Sequence, residues 1–312
     1  MLRVLAYAAR HGRAAMVLGL LAGLLLPGLA SALQPWLPHL VAGLLFLNAY
    51  RIGLRKAAGG LADGIGTLKA VALLQVALPL AALALAAVLG VAQTPAAVAL
   101  ILMLSAPSVT GSPNITALMG HAPEPAFRLL ITGTALMPLT VIPVFLLAPG
   151  LGDLGEVLRA AGRLIGAIGL TVTAAFLLRR LTLPEMHQDQ ARAIDGLTMI
   201  ALAVIVVGLM AALGPALRTD PVLVLQWLGF ALVANLGLQV MVFAVSRRRA
   251  GSGAVPVSVV AGNRNFALFL IALPAATTEP LLIFLGCYQI PMYLTAILME
   301  PLYRRGTLRT GR

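Results

Sequence analysis

Long apolar stretches dominate the chain, and short polar loops separate them. An α-helix needs about 20 mainly apolar residues to cross a bilayer. Stretches of this kind occur at ten places, 13–31, 36–54, 67–91, 96–120, 125–148, 157–178, 194–214, 221–245, 255–276 and 279–302. The pattern therefore predicts an all-α membrane protein with ten transmembrane helices and no soluble domain.

Two of the stretches contain polar and helix-breaking residues at what should be mid-membrane depth. The first interruption is residues 108–114, Ser-Val-Thr-Gly-Ser-Pro-Asn, and the second is residues 258–265, Ser-Val-Val-Ala-Gly-Asn-Arg-Asn. In hydrocarbon an unwound backbone leaves N–H and C=O groups unpaired, so such a break survives only where it lines a cavity or contacts a ligand. We interpret both segments as broken helices of a transporter. The alternative is that glycine and proline merely kink ordinary helices.

The two breaks occupy similar places in the two halves of the chain. With an offset of 150 residues, four identities align: Ser108 with Ser258, Val109 with Val259, Ala117 with Ala267, and Leu118 with Leu268. Many transporters contain inverted repeats with a broken helix at matching positions. We therefore predict a first five-helix repeat at 1–148 and an inverted second repeat at 157–302.

The first break carries the signals of a helix that stops and restarts. Pro107 and Gly111 interrupt the apolar helix. Ser112 is predicted to be the N-cap of a new half-helix, with Pro113 at its first position and Asn114 in its first turn. The free N–H groups and partial positive charge at such a terminus favour a bound anion.

The second break contains an arginine. Gly262 is predicted to end one half-helix, and Asn263 is predicted to cap the next, with Arg264 and Asn265 in its first turn. An ionisable residue inside a membrane is costly and is functional by default. Two restarted half-helices that cross would therefore form an anion site with Arg264.

Composition and charge agree with a membrane protein. The chain is 60% hydrophobic and 10% charged, whereas soluble domains carry about a quarter charged residues. Of the 22 basic residues, 18 fall in alternate loops, and only Arg159, Arg163 and Arg218 fall in the opposite loops. By the positive-inside rule both termini are cytoplasmic, in a bacterial-type inner membrane. This sidedness explains the net charge of +12 without a nucleic-acid partner.

The broken segments resemble the bile acid:sodium symporter family, also called the sodium/bile acid cotransporter-like family. Residues 106–112, Ala-Pro-Ser-Val-Thr-Gly-Ser, lie where the family has a Pro-Gly-Gly-Thr-Ala-Ser-Asn type of stretch. Residues 261–265, Ala-Gly-Asn-Arg-Asn, lie where it has an acidic residue, then Gly, then Gln-Asn. Residues 44–54 resemble the end of its second helix, and the resemblance covers nearly the whole chain.

The resemblance implies a fold and a function. Spans 3–5 and 8–10 would form a core domain, and spans 1, 2, 6 and 7 a panel domain, with broken helices 4 and 9 crossing. The family carries organic anions, including bile acids and small carboxylates, by alternating access. Thr110 and Asn265 match its substrate-contacting positions. Together with the half-helix termini they give a predicted substrate-binding set of Thr110, Ser112, Asn114, Asn263, Arg264 and Asn265.

The chain departs from the family at the sodium sites. The family's acidic ligand corresponds to Val260 and its glutamine to Arg264, while its hydroxyl ligands fall on Ala126 and Leu130, and only Gln75 is retained. Sodium needs several hard oxygen ligands, which these side chains do not supply. We therefore predict that sodium is absent, that Gln75, Val260 and Arg264 mark a replaced cation site, and that the protein binds no other metal or cofactor.

Arg264 is predicted to hold the crossing together through Gln75, Asn114 and exposed carbonyl groups, and to attract the substrate. Asn235 and Gln239 are predicted to join helices. For Tyr288 the sequence leaves cavity lining and simple packing open.

The leading functional hypothesis is a sodium-independent carrier of a small organic anion, surrounded by membrane lipid, whose oligomeric state the sequence does not determine. One alternative is sodium symport through rearranged ligands such as Asn114, Thr116 and backbone carbonyls. Another is a membrane sensor without transport. An enzyme is not expected, because the spans contain no constellation of His, Asp and Glu.

Overall fold

The computed structural model describes residues 5, 12–54, 64–148, 154–250 and 253–304. This part of the chain is helical apart from short turns, and its one β-type contact is an isolated bridge between Ser108 and Arg264. The predicted all-α fold is therefore confirmed. Some basic residues of the predicted loops lie outside the described residues, namely Arg3, Arg10, Arg55, Lys56, Arg305, Arg309 and Arg312.

The helices are numbered here in chain order. They are α1 (Gly12–Leu25), α2 (Pro27–Leu33), α3 (Leu37–Ile52), α4 (Gly64–Ala72), α5 (Leu78–Val88), α6 (Pro95–Ser105), α7 (Ser112–Leu118), α8 (Glu124–Leu147), α9 (Leu154–Thr182), α10 (Gln188–Leu209), α11 (Leu213–Thr219), α12 (Pro221–Leu232), α13 (Leu238–Ala250), α14 (Ala254–Gly262), α15 (Phe269–Ala272), α16 (Ala275–Thr278) and α17 (Leu282–Leu298). Two π-helical turns, Leu73–Ala77 and Val233–Gly237, join α4 to α5 and α12 to α13. Short 3₁₀ turns occupy Gln34–Trp36, Phe266–Leu268 and Glu279–Leu281.

Seven continuous helical stretches in the described residues are long and apolar enough to cross a membrane, which indicates a multi-pass membrane protein. They are Pro27–Ile52, Gly64–Val88, Glu124–Leu147, Leu154–Thr182, Gln188–Thr219, Pro221–Arg248 and Ala275–Leu298. Within the described residues, the continuous helices of the other three predicted spans are shorter than this. The described helix of the first, α1, has 14 residues, and α6, α7 and α14 have 11, 7 and 9. The count of ten spans therefore stays a prediction.

The chain folds as two compact units, each built from several separate segments. The first comprises 1–58, 162–225 and 267–286, and the second comprises 59–161, 226–266 and 287–312. The family layout assigns 267–286 to the core with most of the second unit, whereas these residues lie in the first unit. The core and panel layout and the repeats at 1–148 and 157–302 stay predictions.

In the first unit, polar contacts tie α3 to α9 and α10. The Arg179 side chain donates Nη1–H to the carbonyl oxygens of Tyr50 and Arg51, at 2.9 and 2.7 Å. These carbonyls belong to the last turn of α3, where C=O groups have no partner within the helix. Arg51 in turn pairs with Asp195 of α10 at 2.8 Å. The end of α3 is thus capped by a neighbouring helix.

In the second unit, α8 packs against α4, α6, α7 and α14. Each π-helical turn places one buried amide side chain, Gln75 in the first and Asn235 in the second, with 2% and 0% of their surfaces exposed. Such turns are rare and frequently occur at functional sites. A buried apolar cluster lies beside the first of them and consists of Val71, Leu74, Ala126, Leu129, Val260 and Ala261.

Candidate functional site

The first break, defined here as residues 106–111, separates α6 from α7. Ala106 is extended, with φ −69° and ψ 150°, as expected for a residue that precedes proline. The first helical hydrogen bond of α7 goes to the carbonyl of Gly111, so Gly111 is the N-cap and Ser112 is the first helical residue. The prediction of Ser112 as N-cap was therefore wrong by one position. The Ser112 hydroxyl is fully buried and forms no hydrogen bond within the described residues.

The second break, residues 263–265, follows α14. This helix ends at Gly262, as predicted. Asn263 donates its backbone N–H to the carbonyl of Val259 at 3.0 Å, so it closes α14. The next helical turn begins only at Phe266. The prediction that Asn263 caps the second half-helix was therefore wrong, because its backbone completes the preceding helix.

The two breaks meet backbone to backbone. Two hydrogen bonds join them, from Val109 N–H to Asn263 O at 2.9 Å and from Asn265 N–H to Pro107 O at 2.8 Å. Between these bonds Ser108 and Arg264 face each other as an antiparallel pair. The paired residues are 156 positions apart, whereas the sequence alignment used 150. The alignment's partner for Ser108, Ser258, lies inside α14, so the bridge does not pair the two aligned serines, and the internal repeat stays a prediction.

The Arg264 side chain is buried at this crossing, with 1% of its surface exposed. Its guanidinium group donates three hydrogen bonds to backbone carbonyl oxygens, from Nε to Ala261 at 2.8 Å, from Nη1 to Ala106 at 3.0 Å and from Nη2 to Leu74 at 3.2 Å. We call these oxygens the carbonyl cradle. No carboxylate in the described part of the chain pairs with Arg264. The predicted bonds to carbonyls are confirmed, but Gln75 and Asn114 are not its partners.

Two oxygens of the carbonyl cradle have no N–H partner within their own helix, because they lie at helix ends. Ala106 directly follows α6, and Ala261 lies in the last turn of α14. C=O groups in these positions have no N–H partner within their own helix. The same ends carry the partial negative charge of the helix dipole, which a cation stabilises. A guanidinium group at this point satisfies both requirements.

The third oxygen, that of Leu74, lacks a helical N–H partner because of the first π-helical turn. Leu78 donates its N–H to Leu73 rather than to Leu74. In the π-helical pattern the donor for Leu74 would be residue 79, which is Pro79 and has no N–H. Leu74 is therefore left without a helical partner. Pro79 was the sequence signal that could have identified this oxygen.

The other positions of the predicted cation site have different environments. The Gln75 side chain accepts a hydrogen bond from Thr140 at 3.2 Å. Val260 is buried in the apolar cluster, with 2% exposure. Ala126 and Leu130 are also buried, at 0% and 7%. None of these three apolar side chains supplies an oxygen atom. The hydrogen-bond acceptors of the Arg264 guanidinium group are therefore backbone oxygens.

A buried polar network holds the second break in place. The Gly262 carbonyl accepts hydrogen bonds from Asn235 at 2.6 Å and from the Tyr288 hydroxyl. Four further bonds extend the network, from Gln239 to Asn235 at 2.7 Å and to Thr295 at 3.1 Å, from Thr295 to Asn263 at 3.1 Å, and from Tyr303 to Gln239 at 3.0 Å. The prediction that Asn235 and Gln239 join helices is confirmed. Sequence reasoning missed the roles of Tyr288, Thr295 and Tyr303.

The predicted substrate-binding residues have different degrees of access. Thr110 and Asn265 are half-buried beside the bridge, and Asn114 is exposed on α7. The Asn263 side chain is occupied, because it donates to Val259 at 2.9 Å and accepts from Thr295. The carboxamide of Asn265 forms no hydrogen bond with any described residue. The fold thus brings Thr110, Arg264 and Asn265 to one crossing.

No protein-family model matches this chain, and no curated protein matches it. The geometry of the crossing is therefore the basis for a functional proposal.

Proposed function

We propose that this protein is a secondary transporter of a small organic anion, bile-acid-like or carboxylate, and a member of the bile acid:sodium symporter family. The observation that carries the proposal is the guanidinium group of Arg264, bonded to three carbonyl oxygens where two broken helices cross. In many secondary transporters, unwound carbonyls and the C-terminal ends of half-helices coordinate the coupling cation. The carbonyl cradle has this composition, with an arginine in the place of the ion.

A cation that belongs to a side chain cannot leave on either side of the membrane. The guanidinium group stays charged at all physiological pH values, and it already occupies the oxygens that an ion would use. A sodium gradient therefore has nothing to drive through this site. The carrier works by uniport or exchange, without sodium.

The positive charge of Arg264 favours a negatively charged substrate. The polar network bonds to Gly262 and Asn263 of the second segment. Two other polar side chains beside the crossing have no such bonds. The Ser112 hydroxyl and the Asn265 carboxamide form no hydrogen bond in the described part of the chain. With Thr110 they provide donors and acceptors for a carboxylate beside the crossing. The proposed substrate site is therefore beside the crossing, with Asn265 from the second break, Thr110 from the first break and Ser112 from the start of α7.

Alternating access supplies the transport step. In carriers with broken helices, one rigid part moves relative to another and exposes the central site to each side in turn. The protein lies in the bacterial inner membrane with both termini in the cytoplasm.

Uptake of the anion should not depend on sodium. In proteoliposomes, replacing sodium by potassium or choline at constant ionic strength should leave the uptake of a labelled bile acid or small carboxylate unchanged, because the cradle already holds a guanidinium group. The measurement is the initial rate across a sodium series. A saturable sodium requirement would instead support sodium symport, with ligands such as Asn114 and Thr116. Saturable binding without flux would support a sensor.

The orientation can be tested with reporter fusions. A reporter at Arg312 should be cytoplasmic, and a reporter inserted next to Asp153 should be on the opposite side, because the basic residues favour this arrangement. Phosphatase and fluorescence reporters provide the readout, and fusion near Arg247 serves as a second cytoplasmic control. The same reporter result at both points, with both on one side of the membrane, would contradict the proposed ten-span topology.

A further inference from the structure

Tyr288 bridges the second break with a single hydroxyl group. Its oxygen accepts a hydrogen bond from the backbone N–H of Arg264 at 3.0 Å, and its proton goes to the carbonyl of Gly262. In a continuous α-helix, these two groups would bond to the carbonyl of residue 260 and the N–H of residue 266. Tyr288 is fully buried, so water does not compete. One side chain therefore provides a partner for both groups where the helix is interrupted.

In the described part of the chain, the first break has no corresponding brace. Ser108 and Arg264 are 156 positions apart. The residue 156 positions before Tyr288 is Thr132 on α8, so it is the position to compare with Tyr288. The Thr132 hydroxyl is buried, with 3% exposure, and it forms no hydrogen bond within the described residues. The oxygen that corresponds to Gly262 in the first break belongs to Ala106, and it accepts a bond from Arg264 instead. The tyrosine brace is thus confined to the break that carries the arginine.

We propose that Tyr288 is a positioning residue for Arg264. It fixes the backbone N–H of Arg264, and this directs the guanidinium group toward oxygens on three separate segments. While Tyr288 holds this geometry, the carbonyl cradle is closed to free cations. This inference rests on the proposed role of Arg264 as a fixed cation, and it assigns the exclusion of other cations to a residue that supplies none of the three cradle oxygens.

The variant Tyr288→Phe tests this role, because it keeps the ring and removes only the hydroxyl. The guanidinium group should then occupy its oxygens incompletely, and millimolar guanidinium chloride should stabilise the variant saturably. At ten times its dissociation constant, a cation that binds only the folded state raises the folded-to-unfolded ratio about elevenfold. The readout is the thermal midpoint in detergent against added guanidinium, with choline chloride holding ionic strength constant. The wild-type protein should show no such stabilisation.

Tyr293→Phe is the matched control on the same helix. The Tyr293 hydroxyl is buried but forms no hydrogen bond in the described structure, so its removal should not lower the midpoint and should not create a cation response. A merely structural role for Tyr288 would lower the midpoint of Tyr288→Phe without any guanidinium response, and that result would overturn the proposal. If Tyr288→Phe is recovered poorly, Tyr288→Met fills the space with a flexible apolar side chain and should respond in the same way.

This test is separate from the transport proposal, because it measures stability rather than flux. Absence of anion uptake by the wild-type protein would reject the transporter and leave the cation response of Tyr288→Phe to be measured. Absence of that response in an active carrier would reject only the positioning role.

Discussion

Replacing Arg264 by glutamine should destabilise the protein by at least about 3 kcal/mol, because a buried carbonyl without a partner costs about 1–3 kcal/mol. The guanidinium group bonds to oxygens of Leu74, Ala106 and Ala261, and the shorter glutamine amide does not span all three. Arg264→Lys keeps the charge but lacks the planar fork, so we expect an intermediate loss. The measurement is the thermal midpoint of the purified protein in detergent.

Arg163→Gln is a suitable control for the loss of an arginine. Arg163 is exposed and makes one long contact, 3.4 Å, with the carbonyl of Ala272, so its loss should change the midpoint little. Arg264→Ala leaves space for a free ion, and guanidinium should restore part of its stability while the larger tetramethylammonium should not. Wild-type stability of Arg264→Gln would reject the cation-replacement proposal.

Arg264→Gln also separates the two predicted roles of Arg264, at the crossing and in substrate binding. A charged hydrogen bond contributes about 1.5–3 kcal/mol, so loss of a direct substrate contact should weaken anion binding by more than about tenfold. Binding is best measured by calorimetry on Arg264→Gln that remains folded. Wild-type anion affinity in that protein would reject the substrate contact and leave Arg264 with its role at the crossing.

Gly262→Ala should have the second large effect. A Cβ atom at Gly262 would fall on the backbone oxygen of Asn235 and on the Gln239 side chain. Backbone atoms do not move aside easily in a packed interior, and overpacking typically costs about 1–3 kcal/mol. The displacement would also strain the bond from Asn235 to the Gly262 carbonyl, which is 2.6 Å long. We expect a lower thermal midpoint and reduced anion uptake.

Gly111→Ala is the matched control from the other break. Gly111 has φ −74° and ψ −12°, which alanine adopts without strain, and no atom lies within 4 Å of the position that an added Cβ atom would take. The substitution should therefore change stability by less than about 1 kcal/mol. Equal effects of the two alanine substitutions would mean that the contact between Gly262 and Asn235 does not decide the outcome.

Sequence reasoning identified the breaks but not their boundaries. Gly262 ends α14 as predicted, because glycine, asparagine and proline act on the backbone locally. Ser112 and Asn263 were assigned as N-caps, and both assignments were wrong. Gly111 is the N-cap of α7 instead, and the N–H of Asn263 completes α14. The two backbone hydrogen bonds that join the breaks have no local sequence signal.

The π-helical turns show the same limit. Gln75 and Asn235 are polar residues in apolar segments, and the sequence predicted that Asn235 joins helices. Neither turn was predicted, because a π-helical turn frees a carbonyl oxygen that then needs a hydrogen-bond donor from elsewhere in the fold. For the Leu74 oxygen the donor is Arg264, which lies 190 residues further along the chain.

The sequence alone determined that the chain is helical and apolar enough for a membrane, that two segments interrupt their helices, and that Arg264 is an unusual charge within one of them. These properties follow from composition and from the local preferences of glycine, proline and asparagine. Only the tertiary structure decided that the arginine bonds to backbone oxygens rather than to Gln75 or Asn114, that Tyr288 bridges the second break, and that Gly262 has no room for a side chain. The physical reason is that each of these contacts joins segments far apart in sequence, and local residue preferences do not specify how closely such segments approach.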